Sequence, residues 1–485
     1  MDNPLKSRRA GLILHPTSLP GGQNCGSLGD DAFKWVDFLR DSGFRIWQFL
    51  PLTPVADGSP YNSYSAFAGN PQLIDIRRLE TLGFPALDYV DSKAPGFVMR
   101  ALDQQHQWFE QERPQPLWNN LQAFCASAFW LEDYCIFSVL KEEYPQHWVE
   151  WPVLLRDRDP NAMRDFATTH AKRIQFHRFV QFIFMTQWLA IKAHANAANI
   201  VLFGDIPIFV AHDSVDVWSH RHLFKLDQQG QPQVVAGVPP DYFSATGQRW
   251  GNPLYDWAQH RKDGYHWWQQ RIQHALSLYD TVRIDHFRGF LASWEIPSHE
   301  PTAINGCWIE APGDELFEHL LNGRDHLPLI AEDLGIITPD VIALRKKFGL
   351  PGMKILQFAF DSDGANPYLP HNHTKDSVVY TGTHDNNTTL GWYAELSEDI
   401  RQRIATYYAN PQDEMPWPLV RSAMASPANW AILPLQDVLE LGGECRMNTP
   451  GTTDGNWRWR FEWNQVKPEL TQTLCAMNQL YHRVP

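Results

Sequence analysis

Residues 281–290 read Thr-Val-Arg-Ile-Asp-His-Phe-Arg-Gly-Phe, and the fold turns on how this stretch is read. Val282 and Ile284 alternate with Arg283 and Asp285. In a strand of period two, Arg283 and Asp285 share one face. The apolar run stops at the carboxylate and Gly289 follows, so the stretch reads as a buried strand that delivers Asp285 to a cleft. A guanidinium two residues back holds such a carboxylate ionised. Taken alone, the pair reads equally well as an interior Arg–Asp contact that only settles packing. The rest of the chain decides.

Seven other short apolar runs end in turn or polar residues: 11–15, 46–51 and 200–205 before this stretch, and 327–332, 353–358, 377–385 and 430–437 after it. Between the first two, residues 30–42 have helical spacing. Phe33, Trp35, Val36, Phe38 and Leu39 form a broad apolar face there, and Gly43 ends it. Strand, loop, helix and strand at this spacing make a βαβ unit. Further helices are expected at about 173–195, at about 263–278 and from Pro339 to Phe348. Eight buried runs separated by helical or inserted segments predict an α/β fold, a (β/α)8 TIM barrel. Residues 1–485 then form a single catalytic domain. Residues 79–172, rich in Trp, Phe, Gln and Glu and punctuated by prolines at 114, 116, 145 and 152, read as a mostly helical insertion between strands 2 and 3. Residues 206–260 read as a loop-rich insertion after strand 3 that covers the active-site cleft. A connection of that length in a compact domain is usually functional or disordered, and its aromatics argue against disorder.

With 485 residues the chain can bury a large core. Length alone suggests about three domains, but one barrel with insertions also exceeds about 400 residues. Lys plus Arg number 41 and Asp plus Glu 55, a formal net charge of −14. Such a surface repels nucleic acid and anionic membranes and is indifferent to a neutral substrate. The N-terminus is polar, the run after it is too short for a signal peptide, and no stretch reaches membrane-spanning length. The expected location is the cytoplasm. The six cysteines, at 25, 125, 135, 307, 445 and 475, lie at least ten residues apart, which excludes Cys-x-x-Cys and zinc spacings. They read as reduced and structural. The 20 histidines include no metal-ligand set, so no metal is expected. Most of the 21 tryptophans read as packing, a minority as flat platforms for a ligand.

Active residues of a barrel gather where its strands end at the C-terminal mouth. Asp205, Asp285, Glu332 and Asp385 end the third, fourth, fifth and seventh runs. Singly, each has a structural reading: Asp205 bonding the loop of Pro207, Glu332 capping the next helix, Asp385 making an Asx turn. Sharing one mouth, they favour catalysis. Retaining cleavage of a glycoside needs two carboxyls about 5–5.5 Å apart, one ionised to attack the sugar carbon, one protonated to release the leaving oxygen. Asp285 beside Arg283 suits the first role. Glu332, flanked by Ile330, Ala331 and Leu334, suits the second, because burial raises a carboxyl pKa. Asp385 reads as a partner for sugar hydroxyls in the transition state, with His286 and His384 as further hydroxyl contacts or as loop packing.

These residues lie in motifs that resemble those of the 4-α-glucanotransferases, the amylomaltases or disproportionating enzymes of glycoside hydrolase family 77. The motifs are His15-Pro-Thr-Ser-Leu-Pro-Gly21, Ser59-Pro-Tyr-Asn-Ser-Tyr-Ser-Ala-Phe-Ala-Gly-Asn-Pro71, Gly204-Asp-Ile-Pro-Ile-Phe-Val210, Val282-Arg-Ile-Asp-His-Phe-Arg-Gly289, Ala331-Glu-Asp-Leu-Gly335, Thr381-Gly-Thr-His-Asp-Asn386 and Met447-Asn-Thr-Pro-Gly451, with the long segment 235–253 between them. The likeness spans nearly the whole chain. It implies Asp285 as nucleophile, Glu332 as general acid/base and Asp385 as transition-state stabiliser. Arg283, His286, His384 and Asp205 would ring the sugar at the cleavage point, and Ser59 and Tyr61 would touch substrate near it. Asp241, Tyr242 and Phe243 would tip a loop over the cleft, with Gln248 and Trp250 further along, and Asn448 would contact the acceptor. No cofactor is implied. The partners expected are α-1,4-glucan donors and acceptors, maltooligosaccharides and glucose, with no nucleic acid and no membrane; oligomeric state is open. The expected activity is transfer of α-1,4-glucan segments by retaining double displacement. The alternatives are a retaining α-glucoside hydrolase on the same barrel and, with less in its favour, a non-catalytic glucan-binding protein.

Overall fold

Apolar runs short enough to be strands and buried on both faces belong in a parallel sheet, and that is where the eight runs lie. The structure, a computed structural model, describes residues 4–22, 25–87, 94–240, 244–335, 337–452 and 454–484. The strands are β1 (Arg9–Ile13), β2 (Ile46–Gln48), β3 (Val201–Pro207), β4 (Thr281–Asp285), β5 (Leu329–Ala331), β6 (Gly352–Ile355), β7 (Ser377–Tyr380) and β8 (Trp430–Pro434). All pairings between them are parallel, in the order β6-β7-β8-β1-β2-β3-β4-β5. This is the (β/α)8 barrel expected.

The seam between β5 and β6 closes without a regular ladder. Ala331 N–H donates to Pro351 O at 2.9 Å. The next contact is made by a side chain: Met353 N–H donates to the Asp333 carboxylate at 2.7 Å, and Arg345 lies 3.1 Å from the same carboxylate. The Asp333 side chain thus does the work of a missing strand carbonyl.

Alternate residues of each strand point into the barrel. Ile13, Ile46, Val201, Phe203, Ile330, Met353, Ile355, Val378, Tyr380, Trp430 and Ile432 form one buried apolar cluster. By the same period β4 turns Thr281, Arg283 and Asp285 inward and β3 turns Asp205 inward opposite Arg283, so an ion pair enters an otherwise largely apolar barrel interior. The outward residues, among them Leu12, Trp47, Leu202, Val282, Leu329, Val379 and Leu433, pack under the helices.

Helix Asp30–Asp41 carries Asp30 and Asp31 in its first turn and Arg40 in its last, matching its dipole. The insertion after β2 supplies helices Phe97–Glu112, Gln115–Ser127, Leu131–Glu143 and Pro160–Thr169, which pack on the 27-residue helix Ala171–Ala197. That helix also holds the β2 loop. The Gln181 amide accepts from Gly69 N–H and donates to Gly69 O (2.8 and 2.9 Å), and Gln187 does the same to Asp75 (2.9 and 2.7 Å). Gly69 must lack a side chain, because a Cβ there would lie 2.0 Å from the Phe184 ring.

The structure departs from the sequence reading in several elements. Strand β3 runs two residues past Asp205, which therefore lies inside the strand and not at its end. Strand β7 stops at Tyr380, leaving Asp385 in the following loop. The strands Val234–Val238 and Gln248–Pro253 join Ala292–Pro297 and Cys307–Glu310 in a four-stranded antiparallel sheet that the sequence reading did not anticipate. Two of these strands come from the segment after β3 and two from the segment after β4, so their pairing exists only in three dimensions. Among the described residues no single helix is long and apolar enough to cross a membrane. All six cysteines are free.

Candidate active site

The pairing of β3 with β4 sets Asp205 directly opposite Arg283. Arg283 is 4% exposed and Asp205 1%. Arg283 Nη1 donates to both Asp205 oxygens (2.9 and 2.7 Å) and Nη2 donates to Asp285 Oδ1 at 2.6 Å. One guanidinium therefore bridges a carboxylate below it and a carboxylate at the mouth, the planar fork geometry that lysine lacks. Burial alone would make Arg283 less basic, but Asp205 and Asp285 together hold it well above the usual arginine range.

The pairing of β4 with β5 continues to Ile284 opposite Ala331, so the next residues of the two chains are Asp285 and Glu332. Glu332 accepts from His286 N–H at 2.7 Å and from Leu334 N–H at 2.8 Å. The first bond depends on the backbone of His286, which takes a left-handed φ of 54°, an unusual conformation for a side-chain-bearing residue that gathers at functional sites. Burial and then the charge of Asp285 raise the Glu332 pKa to about 7, against the opposing pull of Arg283 and the two N–H bonds. The His286 imidazole is pushed down to about 4 by burial and so is neutral. Its Nε2 is buried and has no hydrogen-bond partner among the described residues, an open position for a ligand hydroxyl.

Asp385 is held from three sides. Asn448 Nδ2 donates to its Oδ1 at 2.6 Å, His384 Nε2 lies 3.3 Å from Oδ2, and Arg446 Nη2 donates to its backbone carbonyl at 2.6 Å. Burial pushes its pKa up, but His384 and Asn448 outweigh that and keep it below the usual carboxylate range. Tyr61 joins this group to the arginine: its hydroxyl donates to Asp205 Oδ2 at 2.7 Å, lies 2.9 Å from His384 Nε2, and its ring stacks on His384. Ser59 shapes the turn that presents Tyr61, its Oγ accepting from Tyr61 N–H at 3.3 Å.

These groups open into a cleft of about 870 Å³ lined in part by Ser59, Tyr61, Phe209, Trp250, Asp285, Asn448 and Trp457. The Trp250 ring meets the His286 ring edge-on at 4.7 Å and its Nε1–H donates to Gln248 Oε1. Gln248 thus steadies Trp250. Asn448, expected on the acceptor, has its amide on Asp385. Asp241, Tyr242 and Phe243 lie outside the described residues. The sequence reading passed over Arg446 and Trp457. The available signal for the latter is the run Asn456-Trp-Arg-Trp459, two aromatics in a polar segment just past the last apolar run.

A closed parallel barrel that gathers an arginine-bound aspartate, a carboxyl titrating near neutrality and a third carboxylate at one mouth defines a (β/α)8 enzyme working through paired carboxyls. Within that class the chain belongs to the 4-alpha-glucanotransferase family, whose model matches residues 14–466. It is 48% identical to the 4-alpha-glucanotransferase of Thermus thermophilus, an alignment covering 98% of this chain and 99% of the relative. It is 45% identical to that of Synechocystis, covering 99% of each. The amylomaltase of Streptococcus agalactiae, solved in complex with acarbose, superposes with a TM-score of 0.94 at 36% identity over 98% of this chain and 99% of that one. The protein is a glycosyl-transferring enzyme, a 4-alpha-glucanotransferase acting on α-1,4-glucans.

Proposed function

We propose that the enzyme moves α-1,4-glucan segments between maltooligosaccharides, with glucose as the smallest acceptor, through a covalent glycosyl-enzyme on Asp285. An Asp285 oxygen attacks C1 of the donor sugar as the bond from C1 to the glycosidic oxygen breaks. Glu332 gives its proton to that oxygen, and the shortened glucan leaves. Glu332, now a carboxylate, takes the proton from the 4-hydroxyl of an acceptor, whose oxygen attacks C1 and frees Asp285. Asp385 carries its charge beside the sugar hydroxyls as the oxocarbenium character builds. Arg283, His286, His384, Ser59 and Tyr61 hold that sugar, Asp205 acts from beneath by fixing Arg283 and Tyr61, and the neutral His286 Nε2 offers the sugar a hydrogen bond.

The carrying observation is the contrast between neighbouring carboxyls. Asp285 is bonded to a buried guanidinium, while Glu332 keeps its proton up to a pH of about 7. Environments that drive a pair of carboxyls into different protonation states assign the base and the acid.

Transfer outruns hydrolysis only where water is kept from the intermediate. Trp250 and Gln248 are the wall assigned to that task; Asp241, Tyr242 and Phe243, expected to share it, lie outside the described residues. The whole chain acts as one catalytic domain in which the 206–260 segment covers the cleft and the helical segment 79–172 braces the barrel. No cofactor takes part in the reaction. The net charge of −14 disfavours nucleic acid and anionic membranes as partners, and six free cysteines suit the reducing cytoplasm.

Incubation with maltotriose tests the reading. A ladder of longer maltooligosaccharides plus glucose, with total reducing ends nearly constant, is expected, and Asp285→Asn should abolish it. Glucose and maltose with rising reducing ends would instead make the enzyme a hydrolase.

A further inference from the structure

We infer that Trp457 is a donor-side specificity residue, a platform for the glucan segment that stays on the enzyme while the leaving chain departs. The inference rests on the assignment of Asp285 as nucleophile and Glu332 as acid.

The leaving oxygen must face Glu332. Glu332 is fixed by His286 N–H, and the His286 ring meets Trp250. Trp250 therefore marks the leaving-group side, where the acceptor later enters. A separate chain of bonds leads from Asp285 through Arg283 and Asp205 to Tyr61 and His384. There the Trp457 ring lies 6.0 Å from the Tyr61 ring and 5.9 Å from the His384 ring. Trp457 lines the same cleft as Asp285 and Trp250. A glucan threaded past Asp285 with its scissile oxygen at Glu332 extends its retained end toward Trp457. An indole offers the apolar face of a pyranose a flat apolar contact that the bonded polar groups Arg283, Asp205 and His384 do not.

The backbone supplies a second observation. Trp457 has a left-handed φ of 64°, a conformation costly for a bulky side chain and retained where the surroundings over-determine it. The loop that imposes it is cross-bonded. Trp457 N–H donates to Met447 O at 2.8 Å, and Thr449 N–H donates to Asn456 Oδ1 at 2.9 Å. The opposite arm of this loop carries Asn448, which holds Asp385. The left-handed turn at 457 thus aims the indole into the cleft on the segment that also pins Asp385. The ring is half-buried: it packs against the apolar cluster inside the barrel and also lines the cleft.

The test is steady-state kinetics with maltotriose as donor and labelled glucose as acceptor, varied independently. Trp457→Ala should lower donor kcat/KM about tenfold, the size of one lost aromatic contact, and leave the acceptor KM within about twofold. Trp457→Phe should restore most of the donor constant. Trp457→Gly relaxes the backbone, so its Tm should match or exceed that of Trp457→Ala while the donor defect persists, which separates lost binding from lost folding. Trp250→Ala should show the mirror pattern, a weaker acceptor. Unchanged donor constants in folded Trp457→Ala or Trp457→Gly, or equal losses for donor and acceptor, would overturn the inference. Wild-type turnover by Asp285→Asn would instead remove the nucleophile assignment beneath it.

Discussion

Glu332 is the residue whose environment makes the strongest demand. Its carboxyl titrates at about 7 in the fold against an ordinary value of 4.5. In the proposed mechanism donor cleavage needs it protonated, so the first half-reaction should fall as pH rises through about 7. The same shift has a stability consequence of opposite sense to the usual paired carboxylate. Between pH 4.5 and about 7 the folded state keeps a proton that the unfolded chain releases, so the stability tied to this group falls as pH rises through that window. Glu332→Gln should therefore lower kcat by about 10²–10⁴-fold, lose the alkaline limb of the pH–rate profile, and raise Tm relative to the wild type above pH 7. A Tm difference independent of pH would mean that Glu332 is not held protonated. The chemistry of this residue was legible in the sequence, because Ile330, Ala331 and Leu334 announce an apolar setting. The two backbone N–H bonds were not, since one comes from the left-handed His286 on another strand's end.

At the scale of elements, the site depends on how two loops and one seam are held. Asp333 stands beside Glu332 and closes the β5–β6 seam through Met353 N–H and Arg345. Asp333→Ala leaves that N–H without its acceptor and should cost about 1–3 kcal/mol. Measured by urea unfolding, the loss should be accompanied by a lower kcat, because Glu332 begins at the same turn. The Tyr61 loop is tied to helix Ala171–Ala197 through Gly69 and Gln181. Gly69→Ala drives a methyl into Phe184 and should destabilise by about 1–3 kcal/mol, with a higher donor KM as Tyr61 shifts. The bounds of the helices at 30–41, 171–197 and 339–347 were readable to within about two residues from spacing and caps, whereas those of the insertion helices were not. The four-stranded sheet was not, because its strand Val234–Val238 finds a partner in Ala292–Pro297, which lies beyond β4 in the chain.

For the whole molecule, the barrel brings polar chemistry from β2, β3, β4, β5, β7 and β8 to one mouth. Among the described residues no group of three or more His, Cys, Asp or Glu is placed to hold a metal ion. Exhaustive chelation should leave the maltotriose ladder unchanged, and loss of activity that added divalent cation restores would refute a metal-free mechanism.

The sequence by itself determined the barrel, through eight apolar runs whose residues must be buried on both faces, and it determined the three acids, through their place at or just beyond those runs. It also carried the Arg283–Asp285 pair, because a period of two puts both on one face. Tertiary structure alone decided the rest. Asp205 faces Arg283 only through the β3–β4 register, Asn448 reaches Asp385 only because the segment after β8 folds back over the mouth, and Trp457 meets Tyr61 and His384 from far along the chain. Local spacing reports which face a side chain takes. It does not report which distant side chain meets it there, because that is set by barrel closure and loop packing.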